Sequence, residues 1–356
     1  MNLWRREGGD GCELVGEEMA TLVGNGILVG FAGQAALSLG LSAWVFFLTT
    51  HGNMDITNPE GSIRQEIERR RLNFVSNILM IGSDIQSTLG IAYMVTVFAQ
   101  AQIMDTYHLH IVFDIVSFVG VSNTAALVCW RFCRAKIDVS DLKRRPGHSK
   151  RTREHVSYLH GRYRATFLFT ILYLALTVLL CVRLDEWAPN TEPGRCYYTH
   201  LVTKVTASHP VEDKIYVAVT STWLIIVILA SVFAGVSRRR WILLLSSFHF
   251  PLHLYMAIAL RQANQGKFEG EKKHETDWDF GQTTAVVLLG IAVVELLTKG
   301  KEYYDFEKYV TKHGVLPHAS DQSLQNDEEA NTNSYLLGPL PRDEHTPGEK
   351  QAKSGA

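Results

Sequence analysis

Residues 107–130 read YHLHIVFDIVSFVGVSNTAALVCW, and this stretch decides the fold. Apart from His108, His110 and Asp114, it holds only apolar and uncharged polar residues. A helix that spans a bilayer needs about 20 mostly apolar residues, whereas the amphipathic helix of a soluble protein is rarely so long and so apolar. The stretch is therefore typical of a transmembrane helix.

Six further blocks of the 356-residue chain have the same character. The seven predicted spans are Gly26–Thr49, Phe74–Ala99, Tyr107–Trp130, Ala165–Cys181, Ile215–Gly235, Trp241–Leu260 and Phe280–Leu297. The average composition, 46% hydrophobic and 20% charged, hides this clustering. The sequence predicts an all-α polytopic membrane protein, a seven-transmembrane-helix bundle, and argues against a soluble enzyme or a nucleic-acid-binding protein.

The basic residues predict the orientation of the bundle. Most of the 35 lysines and arginines follow the first, third, fifth and seventh spans. Basic connections stay in the cytoplasm, so we expect the N-terminus outside and the C-terminus in the cytoplasm. We expect the protein in either the ER or the plasma membrane. We divide the chain into a non-cytoplasmic tail (1–25), a membrane domain (26–297), a juxtamembrane segment (298–318) and an acidic, disordered cytoplasmic tail (319–356).

Two of the five cysteines, Cys12 and Cys196, lie on the predicted non-cytoplasmic side. That side is oxidising, which permits a disulfide between them. Two separate thiols fit the sequence equally well.

Three of the spans carry polar side chains at helical spacing. Ionisable groups at membrane depth cost several kcal/mol, so we expect these polar stripes to face the interior and to mark function. The stripes of the second, third and sixth spans contain Asn77 and Asp84, His110 and Asp114, and His249 and His253, respectively.

Asp84 and Asp114 are the strongest candidates for a functional site, because no Lys or Arg of the same span lies close enough to neutralise either carboxylate. From the helical rise we expect them about 10 Å apart along the membrane normal, at opposite ends of one small-molecule cavity. His249 and His253 rise from the cytoplasmic side to middle depth and would line the same cavity.

Other seven-span classes fit less well. A retinal protein needs a Schiff-base lysine deep in the last span, and Lys299 lies beyond its end. A rhodopsin-like receptor would end its third span with Asp-Arg-Tyr, whereas residues 129–134 read CWRFCR. A metal-dependent membrane hydrolase remains an alternative, with His249, His253 and one of the two aspartates as ligands.

Two segments carry a resemblance to known proteins. Residues 77–90 read NILMIGSDIQSTLG, and residues 107–114 read YHLHIVFD. They resemble a large group of fungal seven-span integral membrane proteins that share Ser-Asp-x-Gln in the second span and Tyr-His-x-His in the third. The chain also looks similar to the membrane-bound terpene cyclases of fungal meroterpenoid pathways, of the ascochlorin and ascofuranone type.

This resemblance implies an isomerase of secondary metabolism that cyclises a prenylated precursor, with or without an epoxide, through an acid-initiated carbocation. Its partners would be the lipid bilayer and a lipophilic isoprenoid-type molecule, without a metal or another cofactor. Asp84 or Asp114 would be the acid and His253 the terminal base. We expect the substrate to contact Asn77, His110, His249, Phe113 and Phe248. A receptor or transporter without catalysis remains the main alternative.

Overall fold

In the computed structural model, residues 12, 15, 19–48, 62–144, 161–188, 194–199, 201, 210–233, 238–268 and 280–315 are described. They form eight helices: α1 (Ala20–Val23), α2 (Asn25–Leu48), α3 (Ile63–Gln100), α4 (Thr106–Arg144), α5 (Gly161–Asp185), α6 (Val211–Phe233), α7 (Arg239–Asn264) and α8 (Phe280–His313). The chain divides into residues 1–305 and residues 306–356. The described part of the second unit is the end of α8 with the two residues after it.

The seven long helices, α2 to α8, are each long and apolar enough to cross a membrane. This confirms the predicted seven-span helical bundle and an integral, multi-pass membrane protein. Three helices extend well beyond the predicted spans: α3 begins at Ile63, α4 ends at Arg144 and α8 ends at His313. Hydropathy marks only the apolar part of a helix, whereas good helix formers such as Glu, Lys and Arg continue it beyond that part. The predicted disordered tail, 319–356, lies outside the described residues.

Helix α4 is the centre of the bundle. Its apolar window is completely buried, and it contacts α2, α3, α5, α6 and α7. Hydroxyl groups join it to α2, since Ser122 Oγ donates to Ser38 Oγ at 2.7 Å and Ser42 Oγ donates to the carbonyl of Ala125 at 3.2 Å. Polar contacts of this kind hold helices together where no hydrophobic effect acts between them.

Two glycines allow unusually close helix packing. At Gly90 of α3, an added Cβ would lie 2.8 Å from Val119 Cγ1 of α4. At Gly30 of α2, it would lie 2.7 Å from Ala285 Cβ of α8. One turn before Gly30, the amide of Gly26 donates to Gln282 Oε1 at 3.1 Å. The missing side chains therefore let α3 approach α4 and α8 approach α2.

Residues 194–199 cross one end of the bundle, which we call the loop end. The amide of Thr106, at the start of α4, donates to the carbonyl of Gly194 at 3.0 Å. Asn264, at the end of α7, bonds both the amide and the carbonyl of Tyr198 at 2.7 Å. Cys196 forms a disulfide with Cys12, so the first of the two alternatives for these cysteines is correct. The loop is thus fastened to α4, to α7 and to the N-terminal segment.

The polar stripe of α3 does not face the interior, contrary to our expectation. Asn77, Asp84 and Thr88 are exposed on the outer surface of the helix. Small side chains occupy the inner face instead, among them Ser83, Ser87 and Gly90. Because close packing against α4 selects small residues, the longer polar side chains of α3 are left on the outside.

Candidate functional site

Three polar atoms from three helices meet at the centre of the bundle. Nδ1 of His253 (α7) lies 2.7 Å from Oδ1 of Asp114 (α4). The hydroxyl of Tyr216 (α6) donates to the same oxygen at 2.8 Å and lies 2.9 Å from His253 Nδ1. Asp114 and His253 have no exposed surface. His253, which we expected to line the same cavity as Asp114, therefore contacts it directly.

The hydrogen bonds of this cluster leave several buried atoms without a partner. Asp114 Oδ2, His253 Nε2 and His110 Nε2 are buried and make no hydrogen bond. Leaving a buried polar atom unpaired costs about 1–3 kcal/mol, so such atoms call for an explanation in terms of function. A carboxylate oxygen and imidazole nitrogens of this kind are able to give or take a proton.

A second group of polar residues connects the cluster to the loop end. His110 Nδ1 lies 2.8 Å from the hydroxyl of Tyr197 and 3.9 Å from Oδ1 of Asp213. Thr199 Oγ1 donates to that oxygen of Asp213 at 3.0 Å. Burial, followed by the nearby Asp213 carboxylate, raises the pKa of Tyr197 well above its usual value, so its hydroxyl stays protonated at neutral pH. The ring of His110 lies 5.7 Å from that of Tyr216, which joins this group to Asp114.

His249 lies next to His253 on the side of the cluster away from the loop end. Its ring is stacked on that of His253, with the ring centres 5.8 Å apart. Its Nε2 lies 3.2 Å from the carbonyl of Thr220, and Trp223 packs edge-on against it at 4.8 Å. His249 is thus held by α6 and supports the orientation of His253.

Aromatic side chains form a wall of the site. Phe113 packs edge-on against His253 and is stacked on Tyr173 of α5, with ring centres 5.6 Å and 5.5 Å apart. Tyr173 is fixed in turn, because its hydroxyl lies 2.9 Å from Ser117 Oγ. Phe113, Tyr173 and Ser117 are all fully buried.

Helical spacing explains how the residues come together. His110, Asp114 and Ser117 lie at i, i+4 and i+7 on α4, and Asp213, Tyr216 and Thr220 lie at i, i+3 and i+7 on α6. His249 and His253 are four residues apart on α7. Each set lies on one face of its helix, and these faces meet.

Five of the predicted site residues are gathered here: Asp114, His253, His110, His249 and Phe113. The other three lie elsewhere. Asp84 and Asn77 are exposed on α3, and Phe248 is 57% exposed on α7. The two aspartates therefore do not face each other across one cavity. Asp84 and Asn77 lie on the outer surface of α3, so the structure does not place the expected acid or the expected substrate contact beside Asp114.

Sequence reasoning missed Asp213, Tyr216, Tyr197 and Tyr173. Asp213 lies in the first turn of α6, within the charged segment Glu212–Lys214, which comes directly before the predicted span Ile215–Gly235. The spacing of Asp213, Tyr216 and Thr220 at three and four residues would have predicted a fourth polar face, on the fifth span. No local signal distinguishes Tyr197 in its loop.

Among the residues that the structure describes, no three His, Cys, Asp or Glu side chains are placed to hold a metal ion. His249 and His253 are stacked instead of converging on one point. Comparison with known proteins adds no assignment: no protein-family model, no curated protein and no solved structure matches the chain.

Proposed function

We propose that this protein is a membrane-embedded terpene cyclase, which uses the Asp114–His253 pair to start and end a carbocation cyclisation. The observation that carries the proposal is the shared contact at Asp114 Oδ1, which leaves His253 Nε2 and Asp114 Oδ2 buried and unpaired. A pair of this kind provides an imidazole nitrogen able to give and take a proton, beside a carboxylate that stabilises the protonated ring, away from water.

The hydrogen bonds suggest which atom transfers the proton. A carboxylate oxygen only accepts, so Tyr216 O–H and His253 Nδ1–H both donate to Asp114 Oδ1. His253 Nε2 is then the reactive atom, and the Asp114 carboxylate stabilises the imidazolium form of the ring. An imidazolium Nε2–H would give its proton to an epoxide oxygen of the substrate, and the C–O bond would break to leave a hydroxyl group and a carbocation.

The same nitrogen would also end the reaction. After ring closure, the neutral Nε2 takes a proton from the carbon next to the cation, and the C–H electrons form a double bond. One proton is given and one is returned, so the product is an isomer of the substrate and the enzyme is regenerated. No cofactor or oxidant enters this balance.

The surroundings of the pair suit a cation. Phe113 and Tyr216 present aromatic rings beside His253, and Tyr173 is stacked on Phe113; the negative faces of such rings attract positive charge. The buried setting keeps water from the carbocation, which would otherwise be captured as an alcohol. A prenylated substrate would reach the site from the bilayer, where it is already dissolved.

The experiment is an isomer assay. Purified protein in lipid nanodiscs is incubated with a farnesylated phenol that carries a terminal epoxide, and the products are separated by chromatography with mass detection. We expect a cyclic product of unchanged mass, and Asp114→Asn to lower its formation by about 10²–10⁴-fold. Asp185→Asn is the matched control, because Asp185 is exposed and pairs with Lys214 on the surface. Equal activity of the Asp114→Asn variant would refute the proposal.

One observation favours a second candidate, a proton-coupled transporter. Asp213, His110, Asp114, His253 and His249 follow one another through the interior from the loop end, and proton pumps and transporters use such chains. Proteoliposomes separate the two candidates. A transporter would move a solute with acidification of the lumen and leave the solute unaltered, whereas a cyclase would convert the epoxide without a proton gradient.

A further inference from the structure

The outer face of α3 differs from those of its neighbours. Between Leu168 and Val182, the exposed residues of α5 are all apolar, among them Ile171, Leu174 and Val178. Those of α3 include Asn77, Asp84, Thr88 and Thr96. At 1.5 Å per residue, Asp84 lies about 15 Å from Phe74 and about 24 Å from the end of α3 at Gln100, well within hydrocarbon depth. An exposed carboxylate at that depth is costly and usually marks a function.

Asp84 borders a groove of about 320 Å³ between α3, α4 and α5. Ser87 and Thr88 line it from α3, Asn123 from α4 and Thr166 from α5, while Met80 and Leu127 contribute apolar wall. Asp84 is the one charged side chain among the described residues that line the groove. The groove thus combines a negative charge with hydroxyl groups and an apolar wall.

The polar floor of the groove is built and fixed by hydrogen bonds. Asn123 is only 4% exposed, and its Oδ1 accepts from Ser83 Oγ at 3.2 Å. Its Nδ2 donates to Thr166 Oγ1, also at 3.2 Å. These bonds hold the amide in one orientation, so the floor keeps its shape without a ligand.

The groove is separate from the Asp114 site. Asn123 follows Asp114 by nine residues on α4, which is two and a half helical turns, so the two side chains leave the helix on opposite sides. The groove therefore needs an explanation that is independent of the proposed cyclase.

We propose that this groove binds the head group of a lipid-soluble primary amine, with its ammonium on Asp84 and its hydrocarbon chain in the bilayer. The ammonium would form an ion pair with the carboxylate of Asp84, and its remaining N–H groups would donate hydrogen bonds to oxygen atoms of Ser87, Thr88 and Thr166. Asp84 faces outward, so the ligand enters sideways from the membrane, and its chain continues past Met80 and Leu127.

Photolabelling tests this proposal. The full-length protein in phosphatidylcholine nanodiscs is labelled with hexadecylamine that carries a diazirine in its chain, and with the alcohol of the same chain length. We expect the amine to label peptides around Met80–Thr88 and Ala165–Thr166 and the alcohol to label them at least about tenfold less, because an ion pair replaces a neutral contact. Equal labelling by amine and alcohol would overturn the proposal.

Two variants make the test specific. Asp84→Asn should lower labelling by the amine about tenfold, whereas the matched control Asp185→Asn leaves it unchanged. Thr88→Trp, at an exposed position, fills the groove with the carboxylate still present and should also block labelling. Unchanged labelling in either variant contradicts the proposal. Absent labelling by the amine also contradicts it, and a Thr88→Cys variant that cross-links two copies of the chain would show that the groove is instead an interface between them.

Discussion

Nδ1 of His253 lies 2.7 Å from Oδ1 of Asp114, although 139 residues separate them in the chain. Neither side chain has exposed surface, and Tyr216 contacts both. The contact joins α4 to α7 at the centre of the membrane domain.

Tyr216→Phe should lower the rate of cyclisation about tenfold and leave the product unchanged. The substitution keeps the ring in place but removes one of the two donors to Asp114 Oδ1, and a hydrogen bond to a charged group contributes about 1.5–3 kcal/mol. Steady-state kinetics with the epoxide substrate should place the loss in kcat and leave KM nearly constant. Tyr255→Phe, at a half-exposed position of α7, is the control, and an equal loss in both variants would argue against a role of the Tyr216 hydroxyl.

His253→Gln should change the product as well as the rate. Gln retains a hydrogen bond to Asp114 but can neither give the epoxide a proton nor take one up. Product formation should therefore fall by about 10²–10⁴-fold, and any cation that still forms must lose a different proton or capture water. We expect chromatography with mass detection to reveal a shifted alkene or an alcohol that is heavier by one water molecule. His313→Gln, exposed at the end of α8, should produce the wild-type pattern. A wild-type pattern from His253→Gln would exclude Nε2 as the base.

Gly30→Ala should destabilise the protein by about 1–3 kcal/mol, because the new methyl group overlaps Ala285 and forces α8 away from α2. Gly40→Ala is the matched control, since nothing lies within 4 Å of its added Cβ. There the substitution should be neutral or should stabilise the helix by about 0.5–1 kcal/mol. Thermal unfolding in detergent compares the two variants, and equal effects would contradict the close approach of α2 and α8.

Cys196→Ser should lower the free energy of unfolding by about 2–4 kcal/mol, because the disulfide with Cys12 closes a long loop. Cys181→Ser removes a cysteine that forms no disulfide and should cost less. Thermal unfolding with and without a reductant measures both effects. The wild-type protein should lose stability on reduction and Cys196→Ser should not; equal sensitivity to the reductant would contradict the disulfide.

The orientation is tested with tags at both ends. We expect a C-terminal tag to be digested by protease added to intact microsomes, and an N-terminal tag to be protected, because the basic connections stay in the cytoplasm. Detergent should expose both tags to the protease. Protection of the C-terminal tag in sealed vesicles would show the reverse orientation.

The sequence was sufficient to predict the seven helices and the central residues Asp114, His110 and His253. Each of these lies in an otherwise apolar span, where a charged or titratable side chain stands out. Asp84 satisfied the same criterion and yet faces outward. Helical spacing shows which residues share a face but not which face is buried, and here Gly90 and its small neighbours determined the packing of α3.

The sequence did not reveal Asp213 and Tyr197, because their positions depend on residues that are distant in the chain. Asp213 belongs to a run of charged residues at the start of α6, and its burial depends on Thr199 and His110, which come from distant segments. Tyr197 reaches His110 only because the loop of residues 194–199 is fastened across the end of the bundle. Such contacts are set by tertiary structure, and a single sequence does not encode them in a recognisable pattern.

Pro251 lies within α7, between His249 and His253. A proline has no N–H group, so the carbonyl four residues earlier, that of Ser247, loses its usual helical hydrogen bond. The backbone of α7 is therefore easiest to bend at the level of the two histidines. Bending there would swing the loop-end half of α7, which carries His253, away from α4 while its other half stays packed. Such a bend would separate His253 from Asp114, and straightening the helix would restore their contact.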